Sequence, residues 1–416
     1  MREIMKNLAI NGGTPAIQPA LPERFHFGKE EKAAVDALFD QAINSGKVPG
    51  YNGNEETEFC KEFAAELGGG FADGVNAGTN AVFVALRALH LEPFSEVIFG
   101  CITDAGGAMP IVMNNCIPIP ADTQPGTFMP GPKEIEARIT ERTRAIVIAH
   151  ISGDPADMEG IMKVADKYGI PVIEDCAQAP LTTINGRRAG TFGIAGSFSL
   201  MFGKHFCTGG QGGAVFTKDE NFYWEIRRAA DRGKPFNSDA GSNLFPALNC
   251  NLDEIHAAIG RAQLKKLHDI VRRRRENVKY LLANGLNDLK GSTPAIFLPE
   301  GGESCHWWVH MHFNAEKMNC TKYEYIDALN AEGYAPIIRN YSNALQPSLQ
   351  WYADRANKYP WNNPMYKGDP NAEYPCPNAE KALAEDFLIP VYESYTERDL
   401  DNILAAFRKL DAAFAK

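Results

Sequence analysis

Residues 144–175 read RAIVIAHISGDPADMEGIMKVADKYGIPVIED, and this stretch decides the fold. Its first seven residues contain five consecutive apolar residues and predict a buried strand, and its last six, Ile170–Asp175, predict the next strand. Between the two runs, Asp157 is a good N-cap for a helix over residues 158–168, and Gly169 is placed to end that helix. A strand, a helix and a strand of this length predict a parallel crossover of the α/β class.

Short apolar runs alternate with helical patterns from about residue 70 to residue 217. The further elements predicted there are a helix over residues 80–91, a strand over residues 96–99, and strands in the segments that begin at Ser197 and Ala214. Because such alternation is typical of parallel sheets covered by helices, we predict a mostly parallel mixed sheet flanked by helices.

The pattern changes after residue 253. A long helical pattern runs from Asp253 to about Asn284, and we expect it to bridge two parts of the molecule. Beyond it we predict a strand over residues 306–313, helices over residues 321–332 and 379–387, and an ordered surface excursion over residues 352–377. The predicted organisation is a large domain with an N-terminal arm over residues 1–255, then the bridging helix and a small α+β domain over residues 256–416.

The composition excludes several classes of function. The 416 residues are 44% hydrophobic and carry a net charge of −10, which argues against broad binding to nucleic acids or anionic membranes. The first twenty residues show no signal peptide, and no stretch reaches the roughly 18 apolar residues that a membrane span needs. The nine cysteines include no CxxC pair. We therefore expect a reduced, cytoplasmic protein that acts on small molecules.

Lys204 stands where a lysine is rare. It follows the apolar run 197–203 and precedes the glycine-rich stretch 209–213, which we expect to be a turn between two strands. Burying an unpaired lysine costs several kcal/mol. The same loss of hydration lowers the pKa of the amine and makes it a nucleophile. Lys204 is therefore a candidate for covalent binding of an aldehyde cofactor.

Three more places in the sequence can serve such a cofactor. Gly78, Thr79 and Asn80 open a predicted helix, whose N–H groups and dipole favour an anion, although an N-cap threonine alone explains the pattern. Asp175 ends a strand, where an aspartate either pairs with a cation such as a pyridinium nitrogen or caps a turn. Ser199 either binds phosphate or is an ordinary buried serine near a lysine whose amine reaches solvent.

Together these groups are the ones that pyridoxal 5′-phosphate (PLP) requires: a phosphate site, a partner for the ring nitrogen and a lysine for the aldehyde. Other cofactors find less support. The chain has no GxxxxGKS or GxxxxGKT motif, and no GxGxxG opens a helix after a strand.

An ordered set of motifs extends over nearly the full chain. In order, these motifs are Asn76–Thr79, Gly153–Met158, Val172–Gln178, Gly186–Gly190, Gly196–Ser199 with Lys204, Asn249, Asp253-Glu254, Cys376–Glu380 and Ile389-Pro390. This set resembles the DegT/DnrJ/EryC1/StrS family of PLP-dependent aminotransferases, which have the aspartate-aminotransferase fold of type I. The opening segment 8–15 is similar to members that act on keto-cyclitols and on aminohydroxybenzoate precursors.

The resemblance implies a role for each site residue. Lys204 and Asp175 would be catalytic, because the lysine would bind the aldehyde of PLP and the aspartate would pair with its pyridine nitrogen. Gln178 would contact the phenolic oxygen of the ring. The residues implied at the phosphate are Gly78, Thr79, Asn80 and Ser199, with Asn249 reaching the phosphate of the partner subunit in a homodimer.

The resemblance also implies an activity. The chain would move an amino group from glutamate or glutamine to a nucleotide-linked keto-sugar or a keto-cyclitol by a ping-pong mechanism. One alternative is a PLP-dependent sugar dehydratase, because some relatives have a histidine in place of the lysine and His205 follows Lys204 here. The spacing from Ser199 places Lys204 in that position. Another alternative is a non-catalytic sensor with the same fold.

Four positions depart from the family pattern. Asp104 follows Thr103 at a cofactor-binding position where the family usually has an aromatic residue stacked on the ring. Its carboxylate could leave the site, bind a polar or cationic group of the acceptor, or hold up the pKa of the Schiff base. The other departures are Gln211, Asn251 and Pro180. These changes concern the acceptor more than the cofactor.

Two clusters of basic residues receive an ordinary interpretation. His306, His310 and His312 lie on a predicted strand, but no acidic or cysteine residue is spaced to complete a metal site, so we predict none. The run Arg272–Arg275 winds around a helix, and we expect it on a solvated surface, where a nucleotide diphosphate could use some of its arginines.

Overall fold

The computed structural model describes residues 6–24, 26–334, 337, 341 and 344–416. Its strands are β1 (Phe71–Val75), β2 (Glu96–Gly100), β3 (Ile117–Ala121), β4 (Thr143–Ala149), β5 (Val172–Asp175), β6 (Thr183–Ile184), β7 (Arg187–Arg188), β8 (Ala195–Ser199), β9 (Gly213–Thr217), β10 (Ser292–Pro294), β11 (Gly302–Glu303), β12 (Val309–Phe313) and β13 (Asp386–Ile389). Its α-helices are α1 (Lys29–Ser45), α2 (Asn54–Glu66), α3 (Gly78–Ala88), α4 (Ala105–Met113), α5 (Pro132–Glu136), α6 (Met158–Tyr168), α7 (Glu220–Ala230), α8 (Glu254–Leu264), α9 (Leu267–Ala283), α10 (Lys322–Ala331), α11 (Pro377–Glu385) and α12 (Glu397–Phe414). Among the described residues, no helix has the length and apolarity that crossing a bilayer requires.

A seven-stranded sheet forms the large unit, in the order β1-β9-β8-β5-β4-β2-β3. Only β9 departs from the common direction of its neighbours, since it pairs antiparallel with β1 and β8 while the remaining pairs are parallel. The predicted mostly parallel mixed sheet is confirmed. The predicted crossover is β4–α6–β5, in which Ile146 lies opposite Val172.

The ends of α6 show how the sequence sets this crossover. Asp157 Oδ1 accepts a hydrogen bond from the amide of Gly160 at 3.0 Å, and Gly169 ends the helix in the left-handed conformation at φ 65°. Successive side chains of β4 point to opposite faces of the sheet and pack in two different cores. Ile146 and Ile148 pack in the core that includes α6, and Ala145 and Val147 pack in the core that includes α3. Because both faces are covered, the middle of β4 is a continuous apolar run, Ala145–Ala149.

A second sheet, of order β10-β12-β13 and antiparallel, supports the small α+β unit. The N-terminal segment, which the sequence analysis groups with the large domain, inserts Leu8 and Ile17 into the core of this small unit. Buried Glu332 accepts hydrogen bonds from the amides of Ala9 and Ala16, each at 2.8 Å. The predicted boundary between residues 255 and 256 falls inside α8 and stays a prediction.

Several predicted helices have different bounds, and the helix predicted over residues 80–91 is α3, Gly78–Ala88. The long helix after residue 253 is two helices, α8 and α9, because the amide of Lys266 bonds to the carbonyl of Gln263, three residues back, at 2.9 Å. The helix predicted over residues 379–387 ends at Glu385, because the next four residues pair with β12 as β13.

The excursion over residues 352–377 is ordered, as predicted, but three of its aromatic side chains are buried. Tyr352, Trp361 and Tyr366 join the core of the large unit, and the Tyr366 hydroxyl donates to Glu96 Oε1 at 3.0 Å. The excursion therefore packs against the large sheet rather than lying only on the surface.

The expectation that the run Arg272–Arg275 is solvated is wrong for Arg274. Arg272 and Arg273 are exposed and pair with Asp269, whereas the side chain of Arg274 is 0% exposed. A carboxylate from a distant part of the chain, Glu393, compensates the buried charge, and helical spacing alone does not indicate such a partner.

Candidate active site

A cavity opens at the edge of the large sheet where β4 and β5 end and α3 begins. It encloses ≈ 700 Å³, including the part open to solvent. The residues that line it are Ala77, Gly78, Thr79, Thr103, Asp104, Gly106, Gly107, Ala149, His150, Ile151, Asp175, Ala177, Gln178, Ser199, Met201, Lys204 and Gln211. Seven of the nine predicted site residues are in this set, and the structure places Asn80 and Asn249 outside it. Ligands of open α/β sheets bind at this edge.

Lys204 follows β8 in a short loop, where its amine lies over an indole. The Nζ atom is 5.0 Å from the centroid of the Trp307 ring. Burial lowers the pKa of Lys204, although the carboxylates of Asp175 and Asp104 oppose that shift. A lysine with a lowered pKa has more of the unprotonated amine near neutral pH, and this is the form that attacks an aldehyde.

Asp175 ends β5 with a buried carboxylate. The amide of Ala177 donates to its Oδ1 at 3.0 Å. Burial raises the pKa of Asp175, while the Ala177 amide and the charge of Lys204 act in the opposite direction. A cation such as a pyridinium beside this carboxylate would favour its ionised form.

His150 and Glu174 form a buried pair beside Asp175. The amide of Ala156 donates to His150 Nδ1 at 3.1 Å, so Nε2 carries the proton and donates to Glu174 at 3.1 Å. The amide of His150 donates to the carbonyl of Asp175, also at 3.1 Å. The pair thus fixes the ends of β4 and β5. Sequence reasoning missed His150, although its position after an apolar strand was an available signal.

The start of α3 approaches Ser199 closely. A Cβ on Gly78 would lie 2.6 Å from Ser199 Cβ and 2.9 Å from its hydroxyl, so only glycine allows this approach. A Cβ on Gly106 would lie 2.5 Å from the hydroxyl of Thr79. Two hydroxyls and the first N–H groups of a helix therefore converge on one end of the cavity, an arrangement suited to phosphate. Asn80 instead donates to Asn76 Oδ1 at 2.6 Å.

Gln178 connects the cavity to a tyrosine that is distant in the sequence. Its Oε1 accepts a hydrogen bond from the amide of Ser152 at 2.7 Å, and its Nε2 donates to the hydroxyl of Tyr341. Burial raises the pKa of Tyr341, so its hydroxyl stays protonated. No local pattern in the sequence indicates Tyr341, because it lies more than 160 residues from its partner.

Asp104 is the N-cap of α4. Its Oδ1 accepts a hydrogen bond from the amide of Gly106 at 2.9 Å, and the residue is exposed at the cavity. A Cβ on Gly107 would lie 3.0 Å from Asp175 Oδ2. The backbone of residues 104–107 therefore closes the cavity opposite Asp175. Among the described residues that line it, none is Phe, Tyr or Trp.

Asn249 lies on the surface, away from the cavity of its own chain. Its side-chain oxygen accepts a hydrogen bond from Asn251 Nδ2 at 2.6 Å. Of the other departures from the family pattern, Gln211 lines the cavity and Pro180 is buried.

Three histidines outside the cavity, His205, His310 and His312, have protein partners. His310 Nε2 and His312 Nδ1 each lie 2.7 Å from a different oxygen of Asp386. Sequence spacing does not indicate this acidic partner, because Asp386 lies on β13. Its carboxylate pairs with both imidazole rings directly. His205 is buried and contacts the carbonyl of Cys305 at 3.2 Å, and burial lowers its pKa well below the usual value.

The groups of the cavity fit a phosphorylated pyridine aldehyde. Hydroxyls and a helix N-terminus lie at one end, where a Cβ on Gly78 would fill the space; a buried carboxylate and a lysine amine of lowered pKa complete the set. Fold and site together define a PLP-dependent transferase of fold type I.

Comparison with known proteins gives the family. A model of the DegT/DnrJ/EryC1/StrS aminotransferase family matches residues 29–408, so the chain belongs to this family of PLP-dependent aminotransferases. It is 30% identical over 439 residues to the L-glutamine:2-deoxy-scyllo-inosose aminotransferase of Micromonospora echinospora, covering 98% of each chain. It is 35% identical over 271 residues to the dTDP-3-amino-3,6-dideoxy-alpha-D-galactopyranose transaminase of Aneurinibacillus thermoaerophilus, covering 64% of this chain and 72% of that one. The crystal structure of an aminotransferase from Psychrobacter cryohalolentis superimposes with a TM-score of 0.81 at 26% identity, covering 94% of this chain and 99% of that one.

Proposed function

We propose that this enzyme moves an amino group from L-glutamine or L-glutamate to the ketone of a free cyclitol, in two half-reactions that use Lys204. The observation that carries the proposal is the convergence of Lys204, Asp175 and the start of α3 on one cavity. The names of two relatives support a sugar or cyclitol as the substrate. One is named for L-glutamine and a scyllo-inosose, and the other is named for a dTDP-linked amino sugar.

Each residue of the cavity has a task in this proposal. Bound PLP supplies an electron sink for the carbanion that forms when the donor loses its α-proton. The Lys204 amine would accept that proton and pass it to the cofactor, and in the acceptor half-reaction it would deliver a proton to the carbon that receives the amino group. Asp175 holds a proton on the ring nitrogen, and Gln178 contacts the phenolic oxygen. Thr79 and Ser199 hold the phosphate.

A free cyclitol fits better than a nucleotide-linked sugar. Asp104 brings a carboxylate to the cavity, and this charge disfavours an anionic group nearby. The arginines that a diphosphate could use are already engaged: Arg274 with Glu393, Arg275 with the carbonyls of Ser304 and Leu181. We propose that the free oxygen of Asp104 receives a hydroxyl or an amino group of the acceptor.

We further propose a homodimer with the site at the subunit interface. Phe202, two residues before Lys204, is 68% exposed, and Ile43 and Val48 are 75% and 87% exposed. Large exposed apolar side chains favour a surface that a partner covers. Asn249 would act in the partner's cavity. We place this dimer in the cytoplasm, because all nine cysteines are free thiols.

Complementation tests the shared site. Lys204→Ala and Asn249→Ala proteins should each be weak or inactive alone. Mixed as heterodimers, they should regain activity, because one of the two sites then holds both native residues. Failure to regain activity in a verified heterodimer would remove Asn249 from the neighbouring site.

A half-reaction experiment tests the activity itself. The holoenzyme is incubated with L-glutamine or L-glutamate, and conversion to the pyridoxamine form is followed by absorbance. The converted enzyme is then offered free inososes and nucleotide-linked keto-sugars. We expect that at least one of the two donors converts the enzyme to the pyridoxamine form and that an inosose returns it to the PLP form. If only nucleotide-linked keto-sugars return the enzyme to the PLP form, a cyclitol is rejected as the acceptor. If neither donor converts the enzyme and a sugar substrate loses water instead, the dehydratase is favoured.

A further inference from the structure

A buried group of charged side chains lies behind the loop of Lys204, and we call it the Glu393 cluster: Arg24, His26, Arg274 and Glu393. Arg24 Nε donates to Glu393 Oε1 at 3.0 Å, and Arg274 Nε donates to Glu393 Oε2 at 2.8 Å. The side chains of Arg24, Glu393 and Arg274 are 12%, 8% and 0% exposed. One carboxylate therefore links the N-terminal arm, α9 and the segment after β13.

The cluster contacts the backbone of the lysine itself. Arg24 Nη1 donates to the carbonyls of Gly203 and Lys204, each at 3.0 Å, and its Nη2 donates to that of His205 at 3.3 Å. A single guanidinium thus binds three consecutive carbonyls of the loop. A planar fork with several fixed donors holds a backbone more firmly than a single ammonium can.

The cluster also contacts Trp307, whose indole ring lies beside the amine of Lys204. The Nζ atom of Lys204 lies 5.0 Å from the centroid of this ring, and the guanidinium carbons of Arg274 and Arg24 lie 5.7 and 5.9 Å from it. Arg274 Nη1 also donates to the carbonyl of Trp307 at 3.2 Å. The same arginines therefore fix the loop and the indole that faces the amine.

The charges of the cluster make it an expensive way to stabilise a fold. Burial, Arg24 and Arg274 lower the pKa of His26 to about 4, so the imidazole is neutral near pH 7. Burial alone would raise the pKa of Glu393, but Arg274 and Arg24 hold it below its usual value. Two cations then share one anion in a buried place, where apolar side chains would stabilise the protein at least as well.

We propose that Arg24 and Glu393 are positioning residues for the Lys204 amine, an inference that rests on the proposed covalent role of Lys204. Lys204 must release its bond to the cofactor and form it again in each turnover. Both steps depend on the position of the amine, and neither Arg24 nor Glu393 lines the cavity. Loosening the loop therefore slows capture of the aldehyde without removing a group that binds PLP.

The test compares a covalent with a non-covalent ligand. Apoenzyme is mixed with PLP, and the rate of forming the borohydride-reducible bond is measured; the dissociation constant of pyridoxamine 5′-phosphate, which forms no bond with Lys204, is measured in parallel. Arg24→Gln and Glu393→Gln should slow capture by about tenfold or more and change pyridoxamine phosphate affinity less than about threefold. Arg24→Lys, which can reach fewer carbonyls, should fall between Arg24→Gln and the native protein.

Glu62→Gln is the matched control, because Glu62 binds Arg261 in a partly buried pair that does not touch the Lys204 loop. It should leave both measurements unchanged. Native capture rates in folded Glu393→Gln and Arg24→Lys would overturn the proposal, as would an equal loss of affinity for both ligands. If the native protein forms no reducible bond at Lys204, the proposed function fails first, and the inference falls with it.

Discussion

The cavity has two unlike walls. The strand wall, formed by Gly78, Asp175, Ser199 and Lys204, comes from strand ends, a helix start and the loop after β8. The α4 wall, residues 103–107, contains the exposed Asp104 and the glycines Gly106 and Gly107. Asp175 is buried at the end of a strand, where a substitution disturbs the packed core, whereas Asp104 is exposed at the start of α4 and can change more freely. We therefore propose that the cofactor binds at the strand wall and the acceptor at the α4 wall.

Asp175→Asn tests the strand wall with the largest expected loss. The variant keeps the shape of the side chain but removes the charge that, in the proposed function, holds a proton on the ring nitrogen. We expect kcat of the donor half-reaction to fall by about 10²- to 10⁴-fold, with pyridoxamine phosphate still bound. Asp157→Asn, a similar change at the cap of α6, should leave kcat unchanged. An active Asp175→Asn enzyme would remove this residue from the chemistry.

Gly78→Ala tests the close approach of α3 to Ser199. The new Cβ would lie 2.6 Å from Ser199 Cβ, so the start of α3 must move away from the phosphate site. We expect PLP affinity to fall by about 10- to 100-fold, which equilibrium dialysis measures. Gly50→Ala is the control, since nothing lies within 4 Å of its Cβ. Equal affinities in the two variants would place the phosphate elsewhere.

Asp104→Asn tests the α4 wall with the smallest expected effect on the cofactor. Asparagine is as good an N-cap as aspartate, so thermal stability should stay within about 0.5 kcal/mol. The Asp104 carboxylate favours the charged form of Lys204 and raises its pKa; removing it lowers that pKa. The pH midpoint for capture of PLP should therefore move to lower pH. Asp166→Asn, on exposed α6, should not move it, and a shift to higher pH would reverse the electrostatic argument.

The sequence predicts local features and fails at distant partners. Asp157, Gly169 and the apolar strands predict the crossover because caps and periodicity are local signals. The predictions for Lys204 and Ser199 are also local, because the lysine follows an apolar run and the serine lies five residues before it. Helical spacing predicts a solvated surface for Arg274, because its partner Glu393 lies 119 residues away and leaves no local signal. The sequence also does not indicate the pairing of His310 with Asp386 or the contact of Gln178 with Tyr341. In both pairs the partners are far apart in the chain, so no local pattern connects them.

The covalent role of Lys204 is tested by reducing the PLP-loaded enzyme with borohydride and mapping the modified peptide by mass spectrometry. We expect one pyridoxyl group on Lys204 in the native protein and none in Lys204→Ala, while Lys163→Ala, a change of an exposed lysine on α6, is modified as in the native protein. An unmodified Lys204, or a label on another lysine, would contradict it.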